Sequence, residues 1–541
     1  MRKSIYLAGW LIVLALFIAP LAYLVSFPTF TQFLDILTST NQIKAIQNTV
    51  LVSLAVGISC VLLGVPLAWV LTRTNLPGKD KFRTWFCLPY AIPPYVGAIG
   101  WIILANPTSG LLNTVFDLGL NIYSFAGLVW VETSFLFTFV LLTTLTALDR
   151  MDSSLEEAAR LSGANAWHVF RDISLPLLRP AIFNGFILSF LATAASFGVP
   201  ALIGGPARLY LMTTQIYTYQ RMGTAHGVQM AVGVSVLLMI TTLVLLFLVQ
   251  YTAGREKSYL VGGKSTRPSL LSLKGATWPV IIGLSLLLFS IFILPLLGLL
   301  VSALSTVQGS WSFGSLSFAN FYRVLFDTEE TVRAVTNSLM LGFGAALLCT
   351  VFSFLMAYFP AKTNIRGRSF PGVFASIPFS TPGSVLALAL ILTFSQGYFG
   401  IGPSLYNTLG LILIAYVVKY MSLSFKTMQD GYSQIHPSLE EAARVSGANF
   451  WAVLRTIYLP LLKSSLIASA FFIFMPVMSE LTMTILLTGP GLETVGTLIF
   501  SLQEYSDVGG GGASVLSLLV VTLIFSLNFA LKKVSKGRYG L

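Results

Sequence analysis

Apolar residues along this chain come in long unbroken runs, separated by short polar islands. Runs of about twenty residues, enough to cross roughly 30 Å of hydrocarbon at 1.5 Å per residue, recur from one end to the other. They fall near 5–27, 48–72, 84–105, 125–147, 180–203, 228–251, 278–304, 337–361, 370–394, 408–427, 464–488 and 511–531. The pattern predicts an all-α integral membrane protein with about twelve transmembrane helices. The first run follows Arg2 and Lys3 and so imitates a secretory signal. Its apolar stretch is too long for one and eleven more spans follow, so a retained first helix is expected.

Composition agrees: of 541 residues 55% are apolar and 10% charged, and the mean hydropathy is +0.82. The net charge of +12 would suggest nucleic acid if the charges were clustered at random. With the N-terminus placed in the cytoplasm, 26 of the 32 Lys and Arg fall in segments that are then cytoplasmic. Only Lys44, Arg208, Arg221, Arg323 and Arg333 fall outside, and Lys419 lies within a span. The bias is the positive-inside signature, which sets both termini in the cytoplasm and removes the case for nucleic acid. Cys60, Cys87 and Cys349 sit in apolar runs without CxxC spacing and read as core residues; no metal site is expected.

The polar islands are written twice. "LEEAARLSGANAWHVFRDISLPLL" at 155–178 and "LEEAARVSGANFWAVLRTIYLPLL" at 439–462 agree at 18 of 24 positions. Weaker matches lie upstream at an offset of 289: Asn48 with Asn337, Gly78 with Gly367, Pro89 with Pro378 and Pro93 with Pro382. The chain is therefore a tandem duplication, with repeats at 1–255 and 278–541 joined by a polar linker at 256–277. Six spans per repeat, an even number, insert both repeats in the same direction.

Each repeated segment, within the loops 148–179 and 428–463, reads as helix, turn and helix. Ser154 with Glu157, and Ser438 with Glu441, have capping-box spacing. Gly163 and Gly447 offer the left-handed residue that ends a short helix. Trp167, Phe170 and Ile173, matched by Trp451, Leu454 and Ile457, form an apolar stripe in the following stretch. Ala158, Ala159, Ala442 and Ala443 leave a smooth patch that another protein could approach closely. Amphipathic helices resting on lipid headgroups are the plainer alternative. Two near-identical copies favour docking, because lipid tolerates many sequences and a matched partner does not.

The order "EEAA", three residues, "G", about twelve residues, "LP" resembles the EAA motif of permease subunits of binding-protein-dependent ABC importers, and the fused two-repeat length is most similar to the ferric iron type. The resemblance implies the type I permease fold, an extracytoplasmic solute-binding protein, the bacterial inner membrane and two copies of an ATP-hydrolysing subunit. It assigns Glu156, Glu157, Ala158, Ala159 and Gly163 to contact with one ATPase, and Glu440, Glu441, Ala442, Ala443 and Gly447 to the other. ATP and Mg would be bound by those partners, with no cofactor on this chain. "GGKST" in the linker is not a phosphate-binding loop, since the first glycine of that pattern would fall on Ser258. No catalytic constellation is present, so the chain is not expected to be an enzyme. A different solute (thiamine, a phosphorylated solute, a polyamine) or an ion-coupled secondary transporter are the alternatives.

Intramembrane charges are costly and face bundle interiors. Glu132 and Lys419 lie in the corresponding fourth spans of the two repeats, where a pair across the pseudo-twofold axis is geometrically possible. Glu480 aligns with Ser196, beside the helix-breaking Gly198 and Pro200, so Phe197, Gly198, Glu480 and Leu481 are candidates for a gate. The prolines in "PYAIPP" and "PFSTPG" mark possible hinges in the third spans.

Overall fold

The computed structural model describes residues 2–27, 36, 38–259, 270–307, 309, 313–505 and 511–534. Among them the only β features are isolated bridges, and everything else of regular structure is helical. Among the described residues nine single helices are long and apolar enough to cross a membrane: Ser4–Ser26, Thr40–Arg73, Phe125–Arg150, Ala166–Ala195, Ala225–Phe247, Lys274–Leu304, Glu329–Lys362, Leu409–Ser433 and Gly511–Lys533. Three further pairs are bent: Lys79–Ala91 with Pro94–Ala105 by 94°, Phe370–Ser380 with Gly383–Phe394 by 107°, and Phe450–Leu461 with Lys463–Met478 by 76°. Counting each pair as one gives the twelve spans expected, numbered first to twelfth below.

The two largest bends have a local cause. A residue before proline is pushed out of the helical region by the proline ring. Ile92, before Pro93, has ψ 133°, and Thr381, before Pro382, has ψ 135°. These are the hinges the third spans were expected to contain. The fourth and tenth spans begin at equivalent caps, where Ser124 accepts from the Gly127 amide and Thr408 from the Leu411 amide.

The sequence repeat is not a packing boundary. One buried core combines the second to fourth spans with Leu284, Leu288, Ile291 and Leu299 of the seventh span and Val515, Leu516 and Ile524 of the twelfth. The other combines Val13, Phe17, Leu21 and Leu24 of the first span and Val232, Val234 and Val236 of the sixth with the eighth to eleventh spans. Each half thus lends its outer helices to the core of the other. Gly100 and Gly298 make one crossing possible: a Cβ at Gly100 would lie 2.5 Å from the Pro295 carbonyl oxygen, and one at Gly298 3.1 Å from that of Gly100. Small residues let membrane helices approach backbone to backbone. At the other crossing the Tyr398 hydroxyl donates to the Ala15 carbonyl at 2.9 Å.

Candidate functional site

The first repeated loop folds as a knob. Its helix runs Ser154–Leu161, and Gly163, at φ +90°, turns the chain. The Gly163 amide donates to Arg160 O and the Ala164 amide to Ala159 O, both at 3.0 Å, which is the paired closure of a Schellman end. Asn165 then caps the next helix by accepting from the His168 amide at 3.0 Å. The second loop does the same: helix Pro437–Val445, Gly447 at φ +84°, Ala448 to Ala443 O at 2.9 Å, and Asn449 accepting from the Ala452 amide at 2.9 Å. "SGAN" therefore encodes the whole turn. The two asparagines were absent from the sequence reading, although a short polar residue just before an apolar stretch is the standard signal for a cap.

The starts of the two helices differ from the expected capping boxes. Ser154 is already helical, and its amide donates to Asp152 Oδ1 at 2.9 Å. At the second knob His436 Nδ1 accepts from the Ser438 amide at 3.2 Å and pairs with the Ser438 hydroxyl at 2.8 Å. Asp152 and His436 are equivalent at the loop offset of 284, so the cap sits two residues earlier than the serine. The hydrogen bonds from Ser154 hold the Asp152 carboxyl below the usual carboxylate range.

Glu156 and Glu440 turn inward, away from any docking partner. Glu156 is 2% exposed; its Oε2 lies 2.8 Å from Arg73 Nε and its Oε1 accepts from Ser174 Oγ at 2.7 Å. Arg73, the last residue of the second span, also donates to Leu148 O at 3.1 Å. Glu440 accepts from Tyr358 at 2.7 Å and from Tyr458 at 2.5 Å, and pairs with Arg444 on its own helix. These two glutamates bolt each knob to the end of a membrane span and to the helix that follows. What remains at the surface is Glu157 and Glu441, with Ala158 and Ala442, and a row of apolar side chains. Leu155 and Leu439 are half exposed, Leu161 and Val445 are each 90% exposed, and Trp167 and Trp451 stand beside them. Positions 155, 158 and 161 share one helical face. Phe170 and Ile173 turn partly inward, where Phe170 meets Trp69 at 5.6 Å between rings.

Deeper in the molecule the structure rearranges the expected charge pair. Lys419 does not meet Glu132; its ammonium donates to the carbonyls of Phe379 at 3.1 Å and of Thr381, capping the helix end at the hinge of the ninth span. Glu480 in turn accepts from the Met483 and Thr484 amides, each at 2.9 Å, and caps the short helix Thr484–Leu487 just past the end of the eleventh span at Met478. The proposed gate residues do come together. A Cβ at Gly198 would lie 2.6 Å from Tyr95 Cβ and 3.0 Å from Leu481 Cδ2, and the Phe197 ring is 5.5 Å from that of Phe500. All four are buried, so the halves are closed on each other at this level. "GGKST" lies outside the described residues. The three cysteines are buried and free, as core residues should be.

The comparisons with known proteins follow the duplication. Residues 60–258 and 349–537 each match the model of the binding-protein-dependent transport system inner membrane component. A putative ferric transport system permease protein of Haemophilus influenzae is 28% identical over 468 residues, covering 84% of this chain and 72% of that one. An Fe(3+)-transport system permease protein of the same organism is 26% identical over 93% of this chain and 92% of its own length. A sulfate transport system permease protein of Salmonella typhimurium is 27% identical over 47% of this chain and 92% of its own length, so it corresponds to a single half. With two family domains in one polypeptide and full-length similarity to ferric permeases, this chain belongs to the inner membrane components of binding-protein-dependent transport systems, as a fused two-domain ABC importer permease.

Proposed function

We propose that the chain passes ferric iron from an extracytoplasmic binding protein to the cytoplasm, driven by ATP hydrolysis on two copies of a separate ATPase subunit. One observation carries the coupling: two knobs, 284 residues apart, present the same exposed row of Leu155, Leu161 and Trp167, or Leu439, Val445 and Trp451. Isolated apolar side chains on a membrane protein's loops need no explanation, but a duplicated row on a rigid turn fits a duplicated socket. The loops would then be cytoplasmic, as the positive-inside bias requires. When the two ATPases close on ATP and Mg, they would draw the knobs together. Glu156 and Glu440 would pass that motion to the second and eighth spans, opening the Phe197–Leu481 closure to the other side.

Ferric iron is favoured over the oxyanions of other relatives by the charges near the closure. Glu132 and Glu480 are both buried, and the Lys419 ammonium is taken up by backbone carbonyls at the hinge of the ninth span. Two buried acids offer oxygen ligands to a cation that displaces their protons, and offer no fixed positive charge to an anion.

The test is disulfide or maleimide crosslinking from Leu161→Cys and Val445→Cys, with uptake of iron-loaded and sulfate-loaded binding protein compared in the same vesicles. Each cysteine should capture one ATPase subunit, and iron alone should accumulate. Failure of either position to capture an ATPase would overturn the coupling, and sulfate uptake would overturn the cargo.

A further inference from the structure

The two deep carboxylates sit at opposite positions of one repeated junction. At the offset of 284, Glu132 occupies the place of Tyr416, and Ser196 the place of Glu480. In the second half this junction is closed: the Tyr416 hydroxyl pairs with Thr484 Oγ1 at 2.7 Å, and Thr484 in turn bonds Glu480. The first half differs. Glu132 is wholly buried, and neither carboxylate oxygen has a hydrogen-bond partner. The Ser196 hydroxyl lies beside it without closing a bond of good geometry, and Cys60 of the second span is its other polar neighbour. Thr133 Oγ1, one residue along, is also buried without a partner.

An acid desolvated in this way keeps its proton until a positive group meets it, so a cation binding there would displace that proton. The lysine that could have done so is committed to the backbone carbonyls of the ninth-span hinge. Ser196 is the first residue past the fifth-span helix and is followed by Phe197 and Gly198, so the unpartnered acid borders the closure between the halves. Resting on the cation reading above, we propose that Glu132, with the Ser196 hydroxyl, is a transient binding site for the cation cargo on the translocation path.

Its chemistry is hard oxygen, one carboxylate and one hydroxyl, which suits a hard cation. Its weakness is also fitting. Among the described residues no group of three or more His, Cys, Asp or Glu gathers to hold a metal, and a passage site must release what it binds. The asymmetry gives a direction to the assignment: Glu480, already bonded to two amides, caps the short helix after the eleventh span, while Glu132 has no hydrogen bond to give up.

The experiment uses the complete importer, this chain with its ATPase and binding protein, in proteoliposomes supplied with binding protein carrying radioactive ferric iron. Glu132→Gln should lower initial uptake by at least about tenfold, the scale of losing a charge-assisted contact, and Glu132→Asp should restore a substantial part. Ser196→Ala, which keeps the acid, should lower uptake by about two- to threefold, the scale of one neutral hydrogen bond. Wild-type uptake by Glu132→Gln overturns the site. So does loss of assembly in Glu132→Gln together with unaltered uptake in Ser196→Ala, since the acid would then be purely structural. If the wild-type importer carries a different cation and Glu132→Gln still loses it, the site stands and only the iron reading falls. An oxyanion as cargo removes both.

Discussion

The two knobs share their surface and differ in their anchors. Outside, the pairs Leu155 and Leu439, Leu161 and Val445, and Trp167 and Trp451 present equivalent exposed side chains. Inside, Glu156 is held by an arginine and a serine, and Glu440 by two tyrosines and an arginine of its own helix. The substitutions are matched: Ser174 is replaced by Tyr458 at offset 284, and Trp69 by Tyr358 at offset 289. Lys362 takes the place of Arg73 but reaches only a carbonyl, that of Ile435, where Arg73 spans both Leu148 O and Glu156. A surface that meets an identical partner is thus kept, while the bolt behind it is free to change so long as the carboxylate stays satisfied.

That comparison can be broken most severely at Arg73. Arg73→Ala takes the Arg73 counter-charge from the buried Glu156 and should destabilise the first knob by about 3–5 kcal/mol, the usual cost of halving a buried pair. Lys362→Ala removes one charged hydrogen bond, worth about 1.5–3 kcal/mol before discounting for its partial exposure, and should cost the second knob less. Transport and ATPase co-purification of the two variants should fall in that order; equal loss would mean the anchors are equivalent after all.

Proline at the turns comes next. Gly163→Pro and Gly447→Pro place a ring fixed near φ −65° at φ +90° and +84°, so each turn must open. Both variants should still insert in the membrane but lose substrate-stimulated ATPase activity, and normal stimulation would argue that the turn is not the coupling element. Alanine there is milder and should act equally on both knobs, at about 1–2 kcal/mol for the left-handed backbone, because nothing lies within 4 Å of either added Cβ.

The glutamates themselves sharpen the contrast. Glu440→Gln keeps an oxygen that the Tyr358 hydroxyl can still donate to, whereas Glu156→Gln strands the buried Arg73 guanidinium. Uptake should therefore fall further in Glu156→Gln, measured with both proteins at equal membrane abundance.

The smallest effect concerns the caps. Asp152 has its acid strengthened in the folded state, so its cap holds above the ordinary carboxylate range and is lost as pH falls through the lowered value. The protection factors of the amides at 154–157, exchange rates corrected for the intrinsic rate at each pH, should fall on acidification in that range. Asp152→Ala should lower them at neutral pH and remove that fall.

Much of this was legible in the chain. The twelve spans, the duplication and the helix, turn and helix of each loop follow from periodicity and from glycine, because each is a local property. The hinges at Pro93 and Pro382 were readable for the same reason. The capping boxes were misplaced by two residues, because Asp152 and His436 compete with serine for one role and local spacing does not choose between them. Glu156 and Glu440 could not be told from Glu157 and Glu441 within "EEAA", since only one of each pair faces the arginine or tyrosine of a distant span.

What the sequence determined by itself was everything fixed over a few turns of backbone: which segments cross the bilayer, where they break, and that two like knobs project from like loops. Tertiary structure alone decided that the outer helices of each half pack on the other half, that Lys419 caps the ninth-span hinge, and that the buried Glu132 carboxyl has no hydrogen-bond partner among the described residues. The reason is physical. Local geometry follows from dihedral preference and hydrophobic length, whereas pairing between spans depends on which of many equally apolar faces come within contact distance, and that is a property of the packed whole.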